Sequence, residues 1–423
     1  MQSFLQKLKT LMLDSVLRKR ILFIFFALVV FRALASIPIP GVDVSRFGEL
    51  LSQNQFLGLL NIFSGGGLNN LSLVMLGVAP YITASIIMQL GTILSKRLKA
   101  LYHEEGEAGR KRFSQYSRLL SVPLAITQGF GLILLLTRQG IIAPFSPFDW
   151  VVNLAVVVAG SLLIMWIGEL ISEFGIGNGV SIIIFAGIVA SLPGTLAQLA
   201  FSFDIAQIPL YIGFVAAAVA VVAGVVFITE SERPIPVTYA KRVRGNKMYG
   251  GVSTYIPLRV NQAGVIPIIF ALSILLIPQM IAGFVAQSGN EMIRGIAEAV
   301  VSFLNNGWFY SSFYFILVFL FTYFYTAVTF DPNAIATNLQ KGGAFIPGVR
   351  PGAQTSEHIA HILTRITFVG ALFLGLIAVL PLVMQAITGI TALAIGGTAL
   401  LIVVSVVIDL IKKIDAQLSL REY

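Results

Sequence analysis

Apolar residues along this chain gather into about ten runs, each near the roughly 20 residues a helix needs to cross a hydrocarbon core about 30 Å thick. The runs are roughly Ile21–Ile37, Leu71–Leu94, Leu119–Thr137, Val151–Ile171, Val180–Ala200, Pro209–Thr229, Ala263–Ala286, Trp308–Phe330, Ile366–Ala386 and Gly389–Ile411. They predict an all-α, polytopic membrane protein with about ten transmembrane helices. Gly and Pro inside several runs are tolerated where neighbouring helices satisfy the freed backbone. The last two runs are nearly contiguous and predict a tight helical hairpin.

Two polar intervals are long, about 230–262 and 331–365, and both are basic and punctuated by Gly and Pro. Alternation in Ile235–Tyr239 and Gly250–Ile256 predicts a short β-hairpin in the first. Length and charge suit both intervals to docking an acidic or RNA-containing partner, against a plainer reading as solvated linkers. The interval between the first two runs is different. Phe56–Phe63 is apolar but too short to span, and Ser64-Gly65-Gly66-Gly67 follows it. A short apolar helix with a glycine hinge is expected to fold back into the protein there, and an interfacial helix fits the composition equally well. No Gly-Lys-Ser/Thr follows the glycines, which argues against a phosphate-cradling loop.

Composition agrees with the pattern. Of 423 residues, 57% are hydrophobic and 11% charged, where soluble chains carry about a quarter charged. So little polar surface cannot cover a globule in water. The chain has no cysteine, which excludes a disulfide framework, a thiolate metal site and a cysteine nucleophile.

The formal net charge of +9 gains meaning from position. Lys7, Lys9, Arg18, Lys19 and Arg20 precede the first run. Lys96, Arg97, Lys99, Arg110, Lys111, Arg112 and Arg118 follow the second, and Arg233, Lys241, Arg242, Arg244, Lys247 and Arg259 the sixth. Lys341, Arg350 and Arg365 follow the eighth, and Lys412, Lys413 and Arg421 the last. The alternate intervals hold only Arg46, Arg138 and Arg294. By the positive-inside rule both termini face the cytoplasm and the number of spans is even.

Ten spans with a large loop after the sixth suggest two halves of five with opposite topology, the arrangement that places a working site at the repeat interface. The expected units are a cytoplasmic tail over 1–20, an N-terminal half over 21–200, a C-terminal half over 201–411 and a cytoplasmic tail over 412–423. Arg18–Arg20, the apolar run after them and Ala33-Leu34-Ala35 imitate a cleaved signal peptide, but Arg32 interrupts the run, and a retained first span is expected.

Candidate chemistry is sparse. His103, His358 and His361 all fall in cytoplasmic intervals, and no third ligand accompanies the last two, so no metal site or other cofactor is expected. The spans hold no histidine for an intramembrane protease. Their middles hold almost no carboxylates for an ion-coupled transporter, the alternative reading built on inverted repeats. Glu169 and Asp409 sit near span ends. A pore-less scaffold or insertase is a further alternative. The spans do offer branched aliphatics one turn apart, Ile82 with Ile86 and Val180 with Ile184, a spacing that serves ordinary packing as readily as a pore.

Eight stretches, in order, carry a resemblance. They are Ile37-Pro38-Ile39-Pro40-Gly41, Phe63-Ser64-Gly65-Gly66, Pro80-Tyr81-Ile82-Thr83-Ala84-Ser85-Ile86, Glu105-Gly106-Glu107-Ala108-Gly109-Arg110, Gly175-Ile176-Gly177-Asn178-Gly179, Tyr239-Ala240-Lys241-Arg242, Ala263-Gly264-Val265-Ile266-Pro267 and Phe345-Ile346-Pro347-Gly348-Val349-Arg350-Pro351-Gly352. Through them the chain resembles, over nearly its whole length, the SecY family of channel subunits of the Sec protein translocon.

The resemblance implies a clamshell of two inverted five-helix halves around an hourglass pore. Its constriction would contain Ile82, Ile86, Ile184, Ile269 and Ile402, with Val180 beside them. A plug over about 56–70, including Phe56, Leu59, Leu60, Ile62, Phe63, Ser64, Gly65, Gly66 and Gly67, would fill the external funnel. A lateral gate would open to lipid between the second and third spans and the seventh and eighth. Lys241, Arg242, Arg244, Lys247 and Arg350 would meet the ribosome or the SecA motor ATPase. SecE-like and SecG-like small subunits, signal sequences, translocating polypeptides and the lipid bilayer are the other implied partners, and the cell inner (plasma) membrane the implied location. Relatives often carry two adjacent basic residues after the loop glycine; here Asn246 and Lys247 follow Gly245, and Arg244 precedes it. Energy for transport would come from the partner, so no catalytic residue is expected.

Overall fold

The computed structural model describes residues 14–40, 61, 64–138, 140, 142, 145–201, 208–239, 242–244, 247–249, 253–285, 291–388 and 391–419. Its helices are α1 (Ser15–Ala35), α2 (Ala79–Leu94), α3 (Lys96–His103), α4 (Gly106–Arg138), α5 (Pro147–Phe174), α6 (Gly179–Phe201), α7 (Ile208–Glu230), α8 (Ile266–Val285), α9 (Glu291–Asn305), α10 (Gly307–Thr329), α11 (Pro332–Lys341), α12 (Ala353–Thr388) and α13 (Thr391–Ser419). The strands are β1 (Glu232–Tyr239), β2 (Arg242–Arg244), β3 (Lys247–Tyr249), β4 (Ser253–Arg259) and β5 (Ala344–Phe345).

Each of the ten apolar runs carries a helix. Among the described residues, the segments of α4, α5, α10 and α12 are individually long and apolar enough to cross a membrane. Residues 389–390, at the turn of the expected last hairpin, lie outside the described residues.

The run from Leu71 to Leu94 departs from expectation. Only α2 is helical, and its 16 residues rise about 24 Å, less than the bilayer core. Residues 71–78 are turns apart from Ser72, which bridges to Pro38, and Leu71 takes φ 44° and Gly77 φ 53°. Their backbone groups find partners outside a helix: Leu73 N donates to Ile37 O at 3.0 Å and Ile39 N to Leu71 O at 2.9 Å. Side chains help, as Ser161 Oγ on α5 donates to Gly77 O at 2.8 Å. Irregular backbone at membrane depth is tolerated where protein encloses it, and Leu68, Leu71, Val74, Met75, Leu76 and Val78 are all buried.

Two helices outrun their apolar segments. The 36 residues of α12 rise about 54 Å, so its first turns stand clear of the bilayer. α4 likewise begins inside the basic interval after α2.

The first basic interval forms the expected hairpin. β1 and β4 pair antiparallel from Glu232↔Arg259 to Thr238↔Ser253. The second interval joins it: β5 pairs with β1 through Thr238↔Phe345 and Tyr239↔Ala344, giving the order β4-β1-β5. The inner face has its own apolar core of Ile235, Val237, Leu258, Ala344, Ile346 and Ile359, separate from the main core.

A third small cluster joins Leu17 of α1, Ile176 and Leu418 of α13. The start of the first helix and the end of the last therefore lie on one side, as an even number of spans requires. Lys412 of α13, paired with Glu230 at the end of α7 at 2.9 Å, ties the same level together.

Candidate pore constriction and its surroundings

Among the described residues three helix pairings join the halves: α4 packs against α8, and two others involve the helices of the candidate constriction. α2 packs against α8, and α6 against α13. These four helices carry the six candidate constriction residues: Ile82 and Ile86 on α2, Val180 and Ile184 on α6, Ile269 on α8 and Ile402 on α13. All five isoleucines are buried in one apolar core, and Val180 packs partly buried against it. Neighbours in that core are aliphatic or aromatic, among them Ile183, Ile268, Leu272 and Val406. Branched side chains of this kind are stiff at χ1 and offer no hydrogen bonds.

The Ser64-Gly65-Gly66-Gly67 segment is buried beside this core. Gly65 and Gly66 adopt φ of 65° and 84°, backbone that glycine takes without strain. A Cβ on Gly187 of α6 would overlap the backbone of Gly65, and one on Gly160 of α5 would overlap Leu73 O. Helix and irregular backbone thus touch directly, closer than any side chain allows. Ser64 Oγ accepts from Leu68 N at 3.0 Å and donates to Asn61 O at 2.9 Å, while Asn70 Nδ2 donates to Ala35 O at 3.2 Å. Of the expected plug, Phe56, Leu59, Leu60, Ile62 and Phe63 lie outside the described residues.

The loop between α5 and α6 is fixed in the same way. Gly177 takes φ 94°, Ser172 Oγ accepts from Gly179 N at 2.8 Å, and a Cβ on Gly179 would overlap Gly168 O. This loop sets where α6, and hence Val180 and Ile184, begins.

The docking candidates divide. Arg350 is exposed, on the turn between β5 and α12, where its carbonyl accepts from Thr355 Oγ1 at 2.8 Å and Gly348 and Gly352 take φ of 82° and 98°. Arg242, Arg244 and Lys247 lie on the two-stranded ladder β2–β3, in register Arg242↔Tyr249 and Arg244↔Lys247. Lys241, Gly245 and Asn246 lie outside the described residues.

Span carboxylates sit in ion pairs on the side of the basic loops. Glu169 of α5 accepts from Arg118 Nε of α4, and Asp409 pairs with Lys413 one turn on at 2.7 Å. Among the described residues no group of three or more His, Asp or Glu is placed to hold a metal ion.

Sequence reasoning missed three features: the buried turns after the glycines, the contacts at Gly160 and Gly187, and the strand that joins the two basic loops. The small pair Gly160-Ser161 inside an otherwise bulky run was the available signal for a close approach at α5. A two-residue strand such as β5 leaves no signal of its own.

Comparison with known proteins places this geometry. The SecY family's sequence model matches residues 72–411. Protein translocase subunit SecY of Thermus thermophilus is 43% identical, over 96% of this chain and 94% of its own length. The same subunit of Mycobacterium tuberculosis is 40% identical over 100% and 99%, and that of Synechocystis 40% identical over 96% and 93%. Among solved structures, a protein conducting channel superposes with TM-score 0.65 at 17% identity, covering 96% of this chain and 94% of its own. Sec61 in the canine ribosome-channel complex from the endoplasmic reticulum gives TM-score 0.61 at 16% identity, with the same coverage. A SecY protein whose plug domain is described as stabilising the closed state of the translocation channel gives 0.66 at 19%, covering 96% and 93%.

Proposed function

The chain belongs to the SecY family, and from that premise we propose that it passes unfolded secretory polypeptides through a constriction built from Ile82, Ile86, Ile184, Ile269 and Ile402, with Val180 beside it. One observation carries this reading: the isoleucines come from four helices of both halves, all are buried in one continuous apolar core, and those helices pair across the halves, α2 with α8 and α6 with α13. Ordinary packing within a half does not require that the same residue type recur on both sides of the seam. A ring of stiff aliphatics sheds water, so ions meet a dewetted barrier while a moving chain meets no specific grip.

Segments apolar enough leave sideways into lipid between α2 and α4 on one side and α8 and α10 on the other. There each charge costs about 2.5–3.5 kcal/mol near the centre and apolar residues gain. The segment around Ser64–Gly67, with residues 56–63 before it, forms the external plug. Both termini face the cytoplasm of a bacterial cell, where the basic loops lie. The sheet β4-β1-β5, the ribbon β2–β3 with Lys241, Arg242, Arg244 and Lys247, and exposed Arg350 dock the ribosome or the SecA motor. The resemblance to ribosome-bound Sec61 supports the ribosome, and the basic charge of these loops suits both. SecE-like and SecG-like subunits complete the assembly. The chain itself catalyses no reaction; the partner supplies the energy.

Because the chain lacks cysteine, cross-linking tests the constriction directly. Single cysteines replacing Ile86, Ile184, Ile269 or Ile402 should each form a disulfide with a cysteine in a stalled translocating polypeptide. Val219 on α7 and Leu320 on α10, both exposed on the membrane-spanning surface, should not. Equal cross-linking from both groups, or none from the isoleucines, overturns the reading.

A further inference from the structure

α9 runs between α8 and α10 and packs against both, on the face opposite the basic loops. Its 15 residues rise about 22 Å and carry Glu291, Arg294 and Glu298, so it does not cross a bilayer. At 3.6 residues per turn the side chains divide into three faces. Ala297 and Leu304 are buried against the protein. Glu291, Arg294, Gly295 and Ser302, all exposed, share a second face. Between these two faces runs an apolar one, with Met292 77%, Ile296 63% and Phe303 57% exposed. Spacings of four and seven residues keep those three in line along the helix.

The apolar face does not end with the helix. The Phe303 ring meets Phe309 of α10 at 3.7 Å between centroids, and Phe309 stacks on Phe313 at 5.7 Å. Trp308, 79% exposed at the start of α10, stands beside them, and Ile316 and Leu320 continue the exposed apolar surface down that helix. Asn306 fixes the corner, its Oδ1 accepting from Trp308 N at 3.2 Å and Phe309 N at 3.4 Å. α10 is long and apolar enough to cross a membrane, so the surface onto which the α9 stripe opens is a hydrocarbon-facing one. An exposed tryptophan where a span begins marks the level of the headgroups.

We infer that α9 is an interfacial anchor: its Met292–Ile296–Phe303 face lies in the outer leaflet of the bilayer, at the depth of the glycerol and first acyl carbons, with the face of Glu291, Arg294 and Ser302 turned to water. The occupant of the stripe is lipid, because the stripe is continuous with the lipid-facing flank of α10. Two glutamates against one arginine give the helix a formal charge of −1, so apolar burial and not attraction to anionic headgroups holds it. Joined to both α8 and α10, the anchor fixes the outer ends of these two helices at one height in the membrane.

Nitroxide labels on single cysteines test this in the full chain, reconstituted in phosphatidylcholine nanodiscs. Ile296→Cys and Phe303→Cys sit on the stripe, and Gly295→Cys and Ser302→Cys, both exposed, on the polar face. Labels at 296 and 303 should collide often with oxygen, which concentrates in lipid, and rarely with a water-soluble nickel complex. Labels at 295 and 302 should show the reverse ratio. If all four labels collide mainly with nickel, the helix stands in water and the inference fails. If 296 and 303 are shielded from both probes, another protein surface or a second copy covers the stripe, and lipid is not its occupant.

Discussion

Two regions of this molecule bury similar residues by different means. The membrane body closes by backbone on backbone: Gly187 against Gly65, Gly160 against Leu73 and Gly179 against Gly168. The sheet β4-β1-β5 closes by side chains, with Ile235 and Val237 turned inward while Pro234 and Pro236 face out. The contrast follows from solvent. In lipid a Leu gains nothing by facing inward, so close packing through small residues replaces the hydrophobic effect. In water alternation alone pays for a small core. The body therefore depends on shape, and the sheet on which residues are apolar.

Substitutions that respect one rule and break the other sharpen this contrast. Gly187→Leu adds apolar bulk inside a membrane helix, which hydropathy alone would welcome. Its Cβ would overlap Gly65, and parting those backbones should cost more than about 4 kcal/mol, in the exceptional range for a single change. Membrane abundance and thermal stability in detergent should collapse, while Gly213→Leu on α7, with open space around it, should match the parent. Equal stability of the two variants breaks the shape argument. The next effect is smaller and local. Ile235→Ala should destabilise the sheet by about 2–5 kcal/mol. Trypsin should then cut earlier between Glu232 and Arg259, while the melting of the membrane body stays unchanged. Concerted loss of both would show that the two cores are one cooperative unit.

Smaller still in stability is Arg350→Glu, an exposed change expected within about 0.5 kcal/mol. Channel abundance should hold while ATP-driven export falls sharply; normal export kinetics would remove Arg350 from the docking surface. With no expected effect on either core, Thr254→Cys on β4 and Gly295→Cys on α9 report sidedness. The first should react with an impermeant maleimide only from the cytoplasm, and the second only from outside. The opposite pattern inverts the orientation.

The same contrast decides what the sequence made legible. The ten runs were readable because hydrocarbon thickness sets helix length, and the β1–β4 hairpin because half-buried strands alternate. The buried turns over 71–78 were not, since an apolar run enclosed by protein carries the same residues whether it is helix or loop. Nor was the burial of Ile82, Ile86, Ile184, Ile269 and Ile402 in one shared core. Periodicity places each on a helix face, but it says nothing about which faces of distant helices meet, and only the resemblance to a known family grouped them. The extension of α12 beyond its apolar segment was hidden by the Gly and Pro around Arg350, which punctuate the turn just before the helix begins at Ala353.

The central claim is that the buried isoleucines form a barrier and not merely a core. Ile402→Asn and Ile269→Asn, reconstituted in planar bilayers with membrane abundance measured alongside, test it most directly. A barrier predicts normal abundance with raised resting ion conductance and export of precursors bearing defective signal sequences, since an amide wets the constriction. A core predicts that a buried, poorly paired amide costs a few kcal/mol. Low abundance, with no leak through the protein that survives, would contradict the account.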